Sequence, residues 1–206
     1  GTTDYTETLG LTAGTGSIDF DGIVGGTKDL GVVTIVSANN VTADAAFNAQ
    51  AINQTAGSGT TTFTGAVQTL GTLAADGLDL NGTNFTISNT VNTGAAGDVK
   101  ITNSGLLSIA AAGDMTLGGL FLQDGGGTVS TAGNITTTAD AITFTNAVTL
   151  TGNVLLDTGA GAGTIAFNST LNGQFRSLRS FVVRNLAGVN FVMTISNKNF
   201  CFVCHQ

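Results

Sequence analysis

The sequence has no proline and no tryptophan, one tyrosine, one histidine, and only 9% charged residues among its 206. Lack of proline excludes a collagen, and the shortage of Glu and Lys excludes a coiled coil. No run of about eighteen apolar residues occurs, so no membrane-spanning helix is expected. The chain begins Gly1-Thr2-Thr3, without Met or a charged leading region, so no signal peptide is expected and it reads as a mature segment or an excised piece. Cysteine is absent until Cys201 and Cys204, which leaves the body without a disulfide framework. Bases are equally scarce: thirteen acids against six bases give a net charge of −7. Nucleic acid is therefore not an expected partner, because nothing here would neutralise a phosphate backbone. Only Lys28 and Lys100 precede Arg176, and so uniform a body is unlike that of an ordinary enzyme.

What is abundant points to a repeating architecture. There are 30 glycines and 35 threonines, and 42% of residues are hydrophobic. A mean hydropathy of +0.32 argues against disorder. One pattern recurs as Ile18-Asp19-Phe20-Asp21-Gly22-Ile23-Val24, Thr61-Thr62-Phe63-Thr64-Gly65-Ala66-Val67, Ile142-Thr143-Phe144-Thr145-Asn146-Ala147-Val148 and Ile165-Ala166-Phe167-Asn168-Ser169-Thr170-Leu171. Each copy alternates apolar with small or polar residues, the period of a half-buried strand, with Phe facing inward. Three are preceded by small-residue turns at 12–16, 55–59 and 158–163. The phenylalanines are 43, 81 and 23 residues apart, read as two, four and one units of about 20 to 23 residues. Degenerate strands fill the gaps at 46–49, 85–88, 99–102 and 115–117, and the Gly and Thr density disfavours helix throughout.

These features predict an all-β chain, a parallel β-helix (β-solenoid) of about eight coils between Leu9 and Gly173. Inward positions would form an apolar column, and glycines would make the corners. The absence of proline fits, since almost every backbone N–H must donate to a neighbouring coil. An antiparallel sandwich is the alternative, but it does not require equivalent units at near-multiples of one spacing.

The phrases TAGTGSIDFDGIVGG, TAGSGTTTFTGAVQT and DTGAGAGTIAFNSTLNG resemble the repeats of large secreted bacterial adhesins of the filamentous-haemagglutinin and autotransporter-passenger type. The resemblance covers roughly residues 9 to 173. It implies a right-handed parallel β-helix at the cell surface, in a structural or adhesive role, usually within a far longer chain. No catalytic residues carry over.

Residues 174–206 differ from the 1–173 body. They hold five of the twelve phenylalanines, four of the six bases, both cysteines and His205. They read as a cap, with strands at Phe181-Val182-Val183 and 191–195, or as an appended foreign sequence. Cys201-Phe202-Val203-Cys204-His205 matches the Cys-x-x-Cys-His spacing of c-type haem attachment, with Met193 as the nearest distal ligand. The preferred reading of Cys201 and Cys204 is a close-spaced disulfide or free thiols, because a haem needs a larger apolar pocket than this tail offers. Zinc wants four ligands and only three stand here. No cofactor or metal is expected.

Parallel β-helices also carry polysaccharide hydrolases and lyases, so an active site has to be weighed. From Leu9 to Gly173 the only close acidic pairs are Asp19 with Asp21 and Asp76 with Asp79, and the body has no arginine. Solvated surface acids are the preferred reading over a carboxylate couple. The Thr-x-Thr pieces at 60–64, 136–138 and 143–145 resemble the ladders of solenoid ice-binding proteins, but Asp19 and Asp21 interrupt the row. Tripeptides beginning at Asn40, Asn53, Asn81, Asn84, Asn134 and Asn168 match the glycosylation acceptor pattern. The expectation is a non-enzymatic, extracellular structural and adhesive segment whose partners are itself, end to end, or host and matrix surfaces. The alternative is a carbohydrate-active β-helix enzyme.

Overall fold

The structure is a computed structural model that describes residues 4–70, 72–73 and 75–173, and the backbone of 181–184. Those residues form strands, turns and bends with no helix, and every strand pairing is parallel. The chain winds as a three-sided parallel β-solenoid. Its first face is an eight-stranded sheet: β2 (Ile18–Phe20), β4 (Val41–Ala43), β6 (Thr60–Phe63), β9 (Asn84–Ile87), β12 (Leu107–Ile109), β15 (Val129–Thr131), β18 (Val148–Leu150) and β21 (Leu171–Gly173). The second face holds β7 (Val67–Thr69), β10 (Val91–Asn92), β13 (Met115–Leu117), β16 (Ile135–Thr137), β19 (Val154–Asp157) and β22 (Phe181–Arg184). The third holds β8 (Leu78–Gly82), β11 (Val99–Asn103), β14 (Phe121–Asp124), β17 (Ile142–Phe144) and β20 (Ile165–Phe167). β5 (Phe47–Gln54) joins the last two faces, pairing with β7 through its first half and with β8 through its second. β3 (Leu30–Ser37) lies beneath it, and β1 (Leu9–Thr12) pairs with β3.

The expected parallel β-helix is therefore present, over the expected span of Leu9 to Gly173. On the first face the register steps from Ile18 to Leu171 by 23, 20, 24, 22, 22, 19 and 23 residues. Eight strands deep is about seven turns, one fewer than expected.

One equivalence is corrected. Phe20 and Phe63 lie on the first face, two turns apart through Ala43, whereas Phe144 and Phe167 lie on the third face, one turn apart. Four turns on from Phe63 the ladder passes Ile87, Ile109 and Thr131 and reaches Leu150, not Phe144. The spacing of 81 is thus a whole number of turns less part of one. A period-2 strand looks the same on any face, so sequence alone does not say on which side of the rod it lies.

All four rings nevertheless point inward. Phe63 and Phe144 are buried, and Phe20 and Phe167, nearer the two ends, pack against the core. Phe47 meets Phe20 and Phe63 edge-on at 5.2 and 6.2 Å, and Phe144 lies between Phe121 and Phe167 at 5.1 and 5.2 Å. Val, Ile and Leu, with Phe85, Met115, Ala43 and Ala49, fill the rest of the main column, and Ile35, Ala38 and Val41 form a smaller cluster near its first coils.

The corners explain the threonines and asparagines. Inward threonines at strand ends donate to their own corner: Thr93 to Gly97 O, Thr137 to Asp140 O and Thr158 to Gly163 O. Asn40, Asn84 and Asn134, each opening an acceptor tripeptide, use Oδ1 to accept the backbone N–H of Thr60, Leu106 and Leu155 one coil on. Side chains thus satisfy the backbone groups that corners leave unpaired. Between the third and first faces, fully buried Asn103 and Gln123 join two coils: Gln123 Nε2 donates to Asn103 Oδ1 at 2.8 Å, and Asn103 Nδ2 donates to Gly105 O at 2.7 Å. Coils approach so closely at Gly127 that a Cβ there would stand 1.7 Å from Gly105 O. Only a residue without a side chain fits.

β22 extends the second face, with the Phe181–Arg184 backbone in register beside Val154–Asp157. A strand at 181–183 was expected there. The strand expected at 191–195, and Met193, Cys201, Cys204 and His205, lie outside the described residues.

Candidate functional surface

Among the described residues, the outward rows of the strands and the corners between them make up the exposed surface. Along the first face, one row reads Asp19, Thr42, Thr62, Thr86, Ser108, Ser130, Thr149, Asn172. It is a file of six hydroxyls between a carboxylate and an amide. The Thr-x-Thr pieces do not combine into one ladder, since Thr62 is on the first face, Thr136 on the second and Thr143 on the third.

The two acidic pairs have different fates. Asp19 and Asp21 are exposed and joined by Asp44 from the next coil, with one oxygen of each within 4.8 Å of the others. Lys28 and Lys100 are engaged elsewhere, with Asp4 at 3.3 Å and Asp98 at 2.8 Å. The three carboxylates stand exposed at the rim of the first coils. Asp76 turns into the corner at 70–77, where it is 5% exposed and accepts from Thr72 Oγ1, the Leu73 N–H and Gln50 Nε2. It is a structural cap for that corner. Asp79 faces outward on β8, so the second pair is not a couple either.

Asp79 instead belongs to a set that was not singled out from the sequence. The outward row of the third face runs Thr34, Asn53, Asp79, Lys100, Leu122, Thr143. Asn53, Ala75, Gly77, Asp79, Asp98 and Lys100 line a depression of about 230 Å³. Asp98 is 8% exposed and is held by the Leu120 N–H at 3.0 Å as well as by Lys100. At the other end of the same strands, Asn81, Gly82, Thr102, Ser104 and Gly126 are among the residues around a second depression of about 280 Å³. The signal was present in the sequence: Asp79 and Lys100 are 21 residues apart, one turn of the rod, and residues one turn apart are neighbours.

No family model matches the chain, and no curated protein or solved structure matches it. The β-solenoid stands on its own geometry, which is compatible with β-helix repeats of many functions.

Proposed function

We propose that this chain is a non-catalytic structural and adhesive segment of a secreted or cell-surface protein, acting as a stiff rod that presents side-chain rows to a partner. Support comes from the likeness of its repeats to large secreted adhesins, from a core filled along its length, and from a polar surface whose close acidic pairs form no catalytic couple. The observation that carries the self-assembly part is the state of the ends. Among the described residues, β1 and β2 pair on one side only, and so do β20 and β21. All coils run parallel, so the last coil of one copy can pair with the first coil of another as neighbouring coils do. Such a head-to-tail contact does not close and propagates a filament.

Sedimentation tests this. The intact chain should associate end to end, seen as rods or fibres by electron microscopy. A strictly monomeric intact chain at high concentration rejects the filament and leaves the adhesive role standing. The second reading, a carbohydrate-active enzyme, is favoured only by the groove beside Asp79 and Asp98. Incubation with polysaccharides tests it, and release of new reducing or unsaturated ends would overturn the non-catalytic reading.

A further inference from the structure

The two depressions flank one pair of strands, β8 and β11, and the outward residues between them are Asp79, Asn81, Lys100 and Thr102. From Gly77 to Thr83 this polar track crosses the third face over about 20 Å at about 3.3 Å per residue. Beside it, eight residues separate β7 from β8, more than separate any later pair of strands joining the second face to the third, and in this corner Leu73 is 65% exposed. At its base Thr69 is buried with Oγ1 unpartnered, whereas Thr93, in the same place one turn on, donates to its own corner.

We propose that this track is a binding site for an uncharged oligosaccharide. The claim rests on the adhesive reading and names the partner's chemistry. β8 pairs with β5 and β11, and β11 pairs with β8 and β14, so their main-chain groups are already used. A peptide cannot add here as a further strand, and over β8 and β11 a ligand meets chiefly side chains. Those side chains alternate acceptor and donor: the Asp79 carboxylate, the Asn53 and Asn81 amides, the Lys100 ammonium and the Thr102 hydroxyl. Vicinal sugar hydroxyls, each both donor and acceptor, match such a set. The Asp98–Lys100 ion pair offsets its own charge and fixes Lys100, which lowers the ordering cost of binding. Asp79 is left as net negative charge in a chain of −7, which disfavours uronates and sulfated glycans.

The test is saturation-transfer NMR titration of the 206-residue chain with tetrasaccharides of α-1,4-glucose, β-1,4-glucose and β-1,4-N-acetylglucosamine, and with tetragalacturonate. At least one uncharged tetrasaccharide should bind more tightly than tetragalacturonate. Asp79→Ala and Asp79→Asn should each weaken it about tenfold, the effect of one charged hydrogen bond, with the circular dichroism unchanged. Thr149→Ala, on the first face, should leave binding as it was. Failure of every uncharged sugar to bind, tighter binding of tetragalacturonate, or binding indifferent to both Asp79 variants would overturn the site. End-to-end association would then still speak for the structural reading, and cleavage of a bound tetrasaccharide would refute the non-catalytic reading while leaving the site intact.

Discussion

Asn103→Ala tests whether buried amides, rather than the apolar column alone, hold consecutive coils in register. Asn103 is fully buried, and its amide makes three hydrogen bonds: Nδ2 to Gly105 O at 2.7 Å and to Thr128 O at 3.2 Å, and Oδ1 from Gln123 Nε2 at 2.8 Å. At about 1 kcal/mol each, truncation should cost about 3 kcal/mol. Some loss is buffered, because Gln123 Nε2 keeps Asp124 O and Gly127 O, and Thr128 O keeps the Leu107 N–H. A domain stable by about 5–15 kcal/mol feels such a change clearly. Asn103→Asp should be worse than alanine at neutral pH, since it turns an acceptor oxygen toward two carbonyls. Asn92→Ala is the control: its exposed Oδ1 accepts only the Gly94 N–H, at 2.9 Å, and its loss should cost about 0.5–1 kcal/mol. Urea unfolding followed by far-ultraviolet circular dichroism reads all three. A midpoint for Asn103→Ala no lower than that of Asn92→Ala would refute the reasoning.

Three further perturbations probe other links. Phe63→Ala should cost about 3–5 kcal/mol, and a double-mutant cycle of Phe47→Leu with Phe63→Leu should show about 0.5–1.5 kcal/mol of coupling from the edge-on rings; zero coupling would mean that only volume matters there. The hydrogen bond from Tyr5 to Asp29 at 2.8 Å, with burial and the charges of Asp29 and Asp4 adding, raises the phenol above its ordinary 10.0. The stability it lends is present below the unfolded value and lost as pH rises through the folded one. Absorbance titration of this single tyrosine should therefore show a late midpoint that Asp29→Asn moves back toward 10.0, and an ordinary midpoint in the native chain would exclude the bond. Asp44→Asn should relieve repulsion among Asp19, Asp21 and Asp44 and stabilise by about 0.2–1 kcal/mol at low salt, so a thermal midpoint that falls would argue that these carboxylates have a partner.

The strand pattern was legible because it depends on a local alternation that any face of a solenoid imposes. Ile18-Asp19-Phe20 and Ile142-Thr143-Phe144 both bury their outer two residues, fully or in part, as their sequences say. The side of the rod each occupies was not legible, because it depends on how many residues the intervening corners consume. Those corners vary: between the second and third faces, only 118–120 separate β13 from β14, while 70–77 separate β7 from β8. Variation of that size shifts a strand from one face to another without disturbing its alternation. The near-integral phenylalanine spacings therefore gave the fold correctly and one equivalence incorrectly.

The surface chemistry was harder to read for a related reason. Asp19 with Asp21 and Asp76 with Asp79 drew attention by closeness along the chain, yet one turn of about 22 residues places side by side groups that the sequence separates. Asn53, Asp79 and Lys100 are consecutive rungs of one ladder, with Asp98 beside them, though 47 residues separate the first from Lys100. Asp76 and Asp79 are three apart, but one caps a corner and the other faces solvent. In a solenoid, then, functional clustering has to be sought at multiples of the turn, with the corner lengths subtracted. By that measure the third face, and not the acidic rim of the first coil, is where this chain gathers a carboxylate, an amide and an ammonium within reach of one ligand.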